Sequence, residues 1–169
     1  MQKPKGKSPY YEQKKKPPYR DFQEKKPQID PEVDKIIKEI DKLQMLNQLK
    51  TKDFADENGF ADKVAQKIRG TKTAQLYKFF ASIRKMQKGL KQTHEWNGIE
   101  GAFYLLKPQI AYAKGRELIQ NEFYRILMAL FSKVDVGTND EKIENFNKMV
   151  QFLEAIVAFH KFHYSGGGR

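Results

Sequence analysis

The sequence predicts an all-α fold, a five-helix bundle preceded by a disordered basic tail. Apolar residues recur at spacings of three and four over most of the chain after residue 30, which is typical of helices with one buried face. The 169 residues leave room for one domain and include no cysteine, so the fold must rest on its apolar core. We expect a tail at residues 1–28, a helical bundle domain at residues 29–164 and a flexible end at residues 165–169.

The tail carries more than half of the net charge of +11. It holds nine lysines and arginines against three acids, together with five of the seven prolines. Prolines at this density block helix and sheet, and the low hydrophobicity gives collapse no driving force. Tyr10, Tyr11, Tyr19 and Phe22 stand among the cations, where their rings can stack on unpaired bases. A merely solubilising tail explains the composition equally well.

The first helix is predicted to begin at Asp30. This N-cap is followed by a proline at the first helical position and by Glu32 near the positive end of the helix dipole. The apolar stripe of the first helix extends from Val33 to Leu49, and its other face carries charges of both signs. A second, shorter helix is expected at residues 60–68.

The third helix combines a core-forming stripe with a basic face. Its apolar residues lie between residues 76 and 90 on one side, and lysines such as Lys78 and Lys85 fall on the opposite side. We expect Thr71 or Thr73 to cap its start, because a side-chain oxygen there can accept a hydrogen bond from a free backbone N–H.

The basic face of the third helix lacks acidic neighbours. No aspartate or glutamate occurs between Asp62 and Glu95, so the cations in this stretch have no partners one helical turn away. We interpret the face as a surface that binds phosphates. The alternative is an ordinary solvated face, which is the usual meaning of a charge run.

Two further helices complete the bundle. We expect a loop at residues 93–101, with Trp96 as its apolar anchor, then a short helical turn, and a long helix that starts at Pro108 because proline disfavours the α region for the preceding residue. Apolar residues spread over more than one face of this helix up to Val134, so it is either central in the bundle or shared with a second subunit. The last helix begins at a capping box formed by Thr138 and Glu141.

The sequence contains no recognisable catalytic motif. A phosphate-binding loop, a dinucleotide-binding glycine pattern, a zinc-protease helix and a nucleophile elbow are all missing. His160 and His163 have only Glu154 as a nearby carboxylate, too few ligands for a metal site. We therefore expect no enzyme, no cofactor and no metal. No run of about twenty apolar residues occurs, so we expect no membrane contact and a cytoplasmic location.

Two stretches carry a resemblance to a known family. LKPQIAYAKGR, residues 106–116, resembles the Leu-Lys-Pro-x-Leu-Ala-Tyr-Ala-x-Gly-Arg signature of the small helical subunit of the type III-A CRISPR effector, the Csm complex. KTAQLYKFF, residues 72–80, is similar to a second motif of that family, although Tyr77 stands where the family has an arginine.

The resemblance implies a non-catalytic subunit of an RNA-guided antiviral complex. Such a subunit stacks in a short filament along the guide RNA and the paired target RNA, beside the other subunits. We also expect the isolated protein to associate with itself as a dimer, because of the apolar excess on the helix after Pro108 and the wide apolar stripe of the last helix. On the family pattern and the basic face together, the predicted RNA-binding residues are Arg69, Lys72, Lys78, Arg84, Lys85, Lys107, Lys114 and Arg116.

Two alternatives stay open. For Arg116 a structural role is equally plausible, in which it pairs with a backbone carbonyl or a carboxylate. For the whole protein the alternative is a basic all-α adaptor that binds other proteins and touches nucleic acid only incidentally. Salt dependence separates these functions, because phosphate binding weakens steeply as salt rises.

Overall fold

A computed structural model describes residues 28–164 of the chain. This part is all-helical and has no strand, as the sequence predicts, and none of its helices is long and apolar enough to cross a membrane. The predicted tails at residues 1–28 and 165–169 lie outside the described residues, apart from Gln28. In chain order the elements are α1 (Pro31–Asp41), a 3₁₀ turn (Leu46–Gln48), α2 (Thr51–Ala55), α3 (Phe60–Lys67), α4 (Thr73–Thr93), α5 (Asn97–Gly115), α6 (Asn121–Ser132) and α7 (Asn139–Tyr164).

The starts of the first and last helices agree with the prediction. The Asp30 carboxylate accepts a hydrogen bond from the backbone N–H of Glu32 at 2.9 Å, ahead of a proline at the first position of α1. Before α7, the Thr138 N–H donates to the Glu141 carboxylate at 2.7 Å, and the Glu141 N–H donates to the Thr138 hydroxyl at 3.4 Å. Both helix starts are therefore determined by local side-chain chemistry.

The described residues form seven α-helices rather than the expected five, since the predicted helix from Pro108 to Val134 is divided between α5 and α6, and a short helix that was not predicted, α2, follows the first one. α1 ends well before Leu49, where the predicted apolar stripe ends. The backbone N–H of Leu46 donates to the Lys133 carbonyl at 3.2 Å, and that of Asn47 donates to the Asn145 side chain at 2.8 Å. These tertiary hydrogen bonds replace the hydrogen bonds of a continued helix. Leu46 and Leu49 are nevertheless buried, as the apolar stripe predicts.

The predicted start of a helix at Pro108 is wrong. α5 begins earlier, at Asn97, and continues through Pro108 to Gly115. A proline inside a helix removes one backbone hydrogen bond, but the buried stripe of α5 crosses it without interruption, and the burial of that stripe outweighs the missing bond. The stripe consists of Ile99, Phe103, Leu106, Ile110 and Ala113.

The chain leaves the helical path after α5, within the stretch predicted as one long helix. Glu117 has a φ of 54°, in the left-handed region that ends helices. The Leu118 N–H donates to the carbonyl of Ala113 at 2.9 Å, a bond that closes the end of α5. The chain then turns into α6.

The apolar excess of α6 belongs to the core. Its buried side chains include Ile126, Leu127, Leu130 and Phe131, and α6 packs against α1, α3 and α5. Of the two interpretations left open for this segment, a central position in the bundle is the one observed. A second subunit is not needed to cover these residues.

α7 connects several elements of the bundle, because it packs against α2, α3, α4 and the 3₁₀ turn. At its N-terminal half, the ring of Phe146 lies 6.0 Å from that of Trp96, which also contacts Phe103 at 5.2 Å. Trp96 is buried, as expected of the anchor of its segment, and it joins α7 to the start of α5. Edge-on contacts of this kind add to the stabilisation that burial provides.

Candidate nucleic-acid interface

The start of α4 is held by the segment before α6. The Gly70 N–H donates to the Gln120 side-chain carbonyl at 2.7 Å, and the Gln120 N–H donates to the Thr71 hydroxyl at 3.0 Å. The expected cap by Thr71 or Thr73 is therefore wrong: the N-cap is Lys72, without a capping side-chain bond, because the Thr71 hydroxyl serves the neighbouring segment. The two hydrogen bonds between residues 70–71 and Gln120 fix the start of α4 against the start of α6.

The two faces of α4 are divided as predicted. Leu76, Ile83 and Leu90 are buried against the rest of the bundle. The opposite face is exposed and carries Lys78, Lys85 and Lys88, flanked by the exposed residues Tyr77, Arg84 and Lys91. α4 thus presents roughly 30 Å of cationic surface, at about 1.5 Å per residue.

The cations of this surface have no acidic partners within the described part of the chain. The salt bridges formed among residues 28–164 connect α1 and α3 to each other, or lie within α1, between α3 and α7, and between α7 and the loop before it. None of these bridges includes a residue of α4 or α5, nor Arg69 or Arg116. The positive charge of α4 and α5 is therefore not neutralised by neighbouring side chains there.

A groove runs between α4 and α5 and consists of two adjoining cavities, of about 380 Å³ and about 400 Å³. Ser82 and Gln109 line both cavities, which makes them sections of one α4–α5 groove. The two motifs at residues 72–80 and 106–116 supply opposite walls of the first cavity. The first cavity is also lined by Gln75, Lys78, Phe79, Pro108, Tyr112, Ala113 and Leu118, and the second by Lys85, Met86, Gly89, Ile99, Ala102, Leu105 and Leu106.

Three of the predicted RNA-binding residues lie at this groove. Lys78 lines the first cavity and Lys85 the second, both from α4. Arg116 lies beside the first cavity, where it donates to the Tyr112 hydroxyl at 3.3 Å and places its guanidinium carbon 5.9 Å from the centre of the Tyr112 ring. Arg116 is exposed, and its partner is this hydroxyl rather than a backbone carbonyl or a carboxylate.

The structure does not bring all eight predicted residues together. Arg84 donates to the Gln87 side chain at 2.8 Å, and Gln87 donates to Asn147 of α7, also at 2.8 Å, so Arg84 lies on the α7 side of α4. Lys107 lies on the other edge of α5, with its Nζ 4.9 Å from the Tyr104 ring. Lys114 follows Lys107 on the same strip two turns later.

Two predicted residues lie at the start of the basic surface. Arg69 is exposed just before α4, with its guanidinium carbon 5.7 Å from the centre of the Tyr164 ring at the end of α7. Lys72 is exposed at the N-cap of α4. The predicted residues therefore form a cluster at the groove, a pair on the far edge of α5, and separate positions on the remaining sides of α4.

Sequence reasoning missed the uncharged residues of the groove. Tyr112 is 64% exposed although it is a large ring, and Gln75 and Gln109 line the first cavity from opposite walls. The signal was present, because both motifs contain a glutamine and a tyrosine away from the buried stripe. A search for cations alone passes over such residues.

The two histidines of α7 are separate in their surroundings. His160 is buried, and burial lowers its pKa, because the charged form loses water. His163 lies 2.5 Å from the carboxylate of Asp62 on α3. Within residues 28–164 no group of three or more histidines and acids could hold a metal ion.

The comparison with protein families identifies a family for this chain. The family model described as Csm2 Type III-A matches residues 50–166, more than half of the chain, and this range includes both motifs that line the α4–α5 groove. No curated protein and no solved structure matches the chain.

Proposed function

The chain belongs to the Csm2 family of type III-A CRISPR systems, and we propose that it serves its effector complex as a non-catalytic RNA-binding subunit. Membership of the family makes the protein a subunit of the type III-A Csm complex. We propose in addition that the protein contacts RNA, that it has no catalytic activity, that it stacks along the RNA in the assembly and that it is located in the cytoplasm.

The observation that supports RNA contact is the cationic surface of α4 and α5, whose lysines and arginines form no salt bridge within residues 28–164. Lysines and arginines that lack acidic partners are free to replace the counterions around a phosphate backbone, and the release of those counterions drives binding. Lys78, Lys85 and Arg116 flank one groove, so a single strand that follows the groove meets all three.

We assign guide RNA and target RNA as the ligands, with the other subunits of the complex as protein partners. A paired guide and target form an A-form duplex, whose backbone is accessible while its deep major groove is not. A helical surface with spaced cations suits this kind of ligand. The basic tail at residues 1–28 adds charge of the same sign, so it strengthens binding without choosing a sequence.

The test is the salt dependence of RNA binding by charge-reversal variants. We predict that Lys72→Glu, Lys78→Glu and Lys85→Glu together lower affinity for single-stranded RNA by on the order of tenfold or more at 0.1 M salt. The slope of log affinity against log salt should flatten by about 2, because each phosphate that the protein no longer neutralises reduces the slope by roughly 0.7. Fluorescence anisotropy over a salt series measures both quantities.

A matched control carries the same change of charge elsewhere. Lys35, Lys50 and Lys52 are on α1 and at the start of α2, away from the groove, and their joint replacement by glutamate should reduce affinity far less. Equal losses for the two triple variants would show that only net charge matters and would contradict a localised surface. Arg84 is left unchanged, because its bond to Gln87 also supports the packing of α4 on α7.

One observation favours the adaptor function as a second candidate. Leu105 of α5 is 62% exposed at the second cavity, beside Met86, Ile99 and Leu106. An exposed leucine next to an apolar groove is typical of a protein contact. If RNA affinity proves insensitive to salt while binding to a protein subunit of the complex persists, the adaptor function replaces RNA binding.

A further inference from the structure

We propose that the first cavity of the α4–α5 groove holds the base of an unpaired RNA nucleotide, stacked on Tyr112. The inference rests on the proposed RNA-binding function and adds a base site to a surface that was expected to contact only phosphates. Its volume of about 380 Å³ lies within the range of cavities that hold small ligands. Lys78 of the basic face forms part of its lining.

Tyr112 supplies a flat and accessible ring. Its side chain is 64% exposed, although large rings on helices usually pack into a core. Arg116 lies over the ring and binds its hydroxyl, which restrains the side chain in one orientation. Stacking on an accessible aromatic ring is a main source of affinity for unpaired bases.

Two amide side chains face the same cavity. Gln75 lines it from α4 and Gln109 from α5, and neither side-chain amide makes a hydrogen bond to another residue within the described range. A glutamine amide offers both donors and an acceptor, which match the edges of a base. Unpaired bases are read in this way, by stacking on a ring and by hydrogen bonds to the exposed edge.

The charge around the cavity suits a nucleotide. Lys78 lies in the wall, Arg116 lies beside Tyr112, and among the described residues no acid lines either section of the groove. A phosphate on either side of the inserted base then reaches a cation.

The test uses the full chain and a single-stranded RNA that contains 2-aminopurine, a base whose fluorescence is quenched by stacking. Wild-type protein should quench the probe, and Tyr112→Phe should do the same because it keeps the ring. Tyr112→Ala should abolish the quenching and weaken binding of the single strand by about 5- to 100-fold. Affinity for a fully paired RNA duplex should change by less than about twofold, since its bases are already stacked.

Phe162→Ala is the matched control. Phe162 is an exposed ring on α7, outside the α4–α5 groove, and its removal should leave both quenching and affinity unchanged. Thermal unfolding of each variant verifies that the fold is intact. Gln109→Leu provides a second test at an exposed position, and we expect it to reduce the differences in affinity among adenine, uracil and cytosine oligonucleotides.

The outcomes separate this inference from the proposed function. If wild-type protein binds single-stranded RNA with steep salt dependence but Tyr112→Ala loses neither affinity nor quenching, the base site is wrong and phosphate binding stands. If Tyr112→Ala lowers the affinity for single-stranded RNA and for the duplex equally, the base site is also wrong, because Tyr112 then contacts the RNA backbone. If RNA affinity is unchanged while Tyr112→Ala lowers the mass of an oligomer, the base site is wrong and the cavity binds a protein side chain instead. If the wild type binds neither RNA, both proposals are wrong.

Discussion

Asp62 shows at the scale of a single residue how a buried acid can remain charged. Burial raises its pKa, but hydrogen bonds from His163, from the Asn58 N–H at 2.9 Å and from Gln66 at 3.2 Å outweigh burial. The net result is a pKa of Asp62 below its ordinary value. The same carboxylate joins α3 to the end of α7 through His163 at 2.5 Å.

We predict that Asp62→Asn lowers the free energy of unfolding by roughly 1–3 kcal/mol at pH 7, because the variant gives up hydrogen bonds to a charged group. Since the folded pKa of Asp62 is depressed, its contribution is complete above the unfolded value of about 3.9 and disappears as pH falls through the folded pKa. The difference between wild type and variant should therefore shrink below about pH 4. Urea unfolding curves over a pH series measure this difference.

The control for Asp62 is Asp53→Asn. Asp53 is exposed on α2, and its replacement should change the free energy of unfolding by no more than about 0.5 kcal/mol at any pH in the series. A difference between wild type and Asp62→Asn that stays constant from about pH 7 to about pH 3 would contradict the role of the charged carboxylate.

Residues that act through a local rule were predictable from the sequence. Asp30, Thr138 and Glu141 form the expected caps because their partners lie two or three positions away in the chain. The role of Thr71 was not predictable in this way. The bond from Gln120 to Thr71 depends on which distant segment lies beside it.

At the scale of the elements, Asn145 of α7 determines where helices end. It is fully buried and accepts a hydrogen bond from the Asn47 N–H at 2.8 Å. It also donates to the carbonyls of Val134 at 3.1 Å and Val136 at 3.2 Å. One side chain thus holds the 3₁₀ turn and the loop after α6 against α7.

We predict that Asn145→Ala lowers the free energy of unfolding by roughly 2–4 kcal/mol, because it leaves buried backbone groups without partners and creates a small cavity. Chemical denaturation monitored by circular dichroism measures the loss. Gln151→Ala, an exposed change further along α7, is the control and should stay within about 0.5 kcal/mol of wild type. A cost for Asn145→Ala below about 1 kcal/mol would show that water satisfies the freed groups.

The helix boundaries that the sequence misplaced share a physical cause. Around Leu46, backbone donors bond to Lys133 and Asn145, which periodicity along the chain does not reveal. At Pro108, local propensity predicts a boundary, but the buried stripe of α5 overrides it. Propensity and spacing describe neighbours in the chain, while these boundaries depend on neighbours in space.

At the scale of the whole molecule, the fold class was predictable because nearly every helix carries a continuous apolar stripe. The candidate site was predictable in part: the basic face and both motifs were apparent, whereas the groove between them required the packing of α4 on α5. The apolar excess of α6 was ambiguous for the same reason. Its burial removes one of the two sequence-based arguments for a dimer, and exposed Leu105 of α5 and Phe162 of α7 are the remaining apolar candidates for a contact.

We predict that the isolated protein associates with itself through the N-terminal half of α5, and that Leu105→Asp shifts it towards the monomer, because burying an aspartate in an apolar contact is costly. Light scattering over a concentration series measures the mass. Phe162→Asp alters another strongly exposed apolar side chain and should leave the mass unchanged. A monomeric wild type at every concentration would contradict self-association, and dissociation by Phe162→Asp alone would place the contact on α7.

The separation of the ion pairs from α4 and α5 gives the molecule an uneven electric field. Within the described residues, acids and their paired lysines lie mainly on α1, α3 and the first part of α7, while unpaired positive charge lies on α4 and α5. A protein with this uneven charge distribution is rotated by the electric field of a nearby polyanion before the two molecules come into contact. If the protein binds RNA as proposed, this alignment turns the groove towards the strand before contact, and dissolved salt should then lower the association rate more than it shortens the residence time.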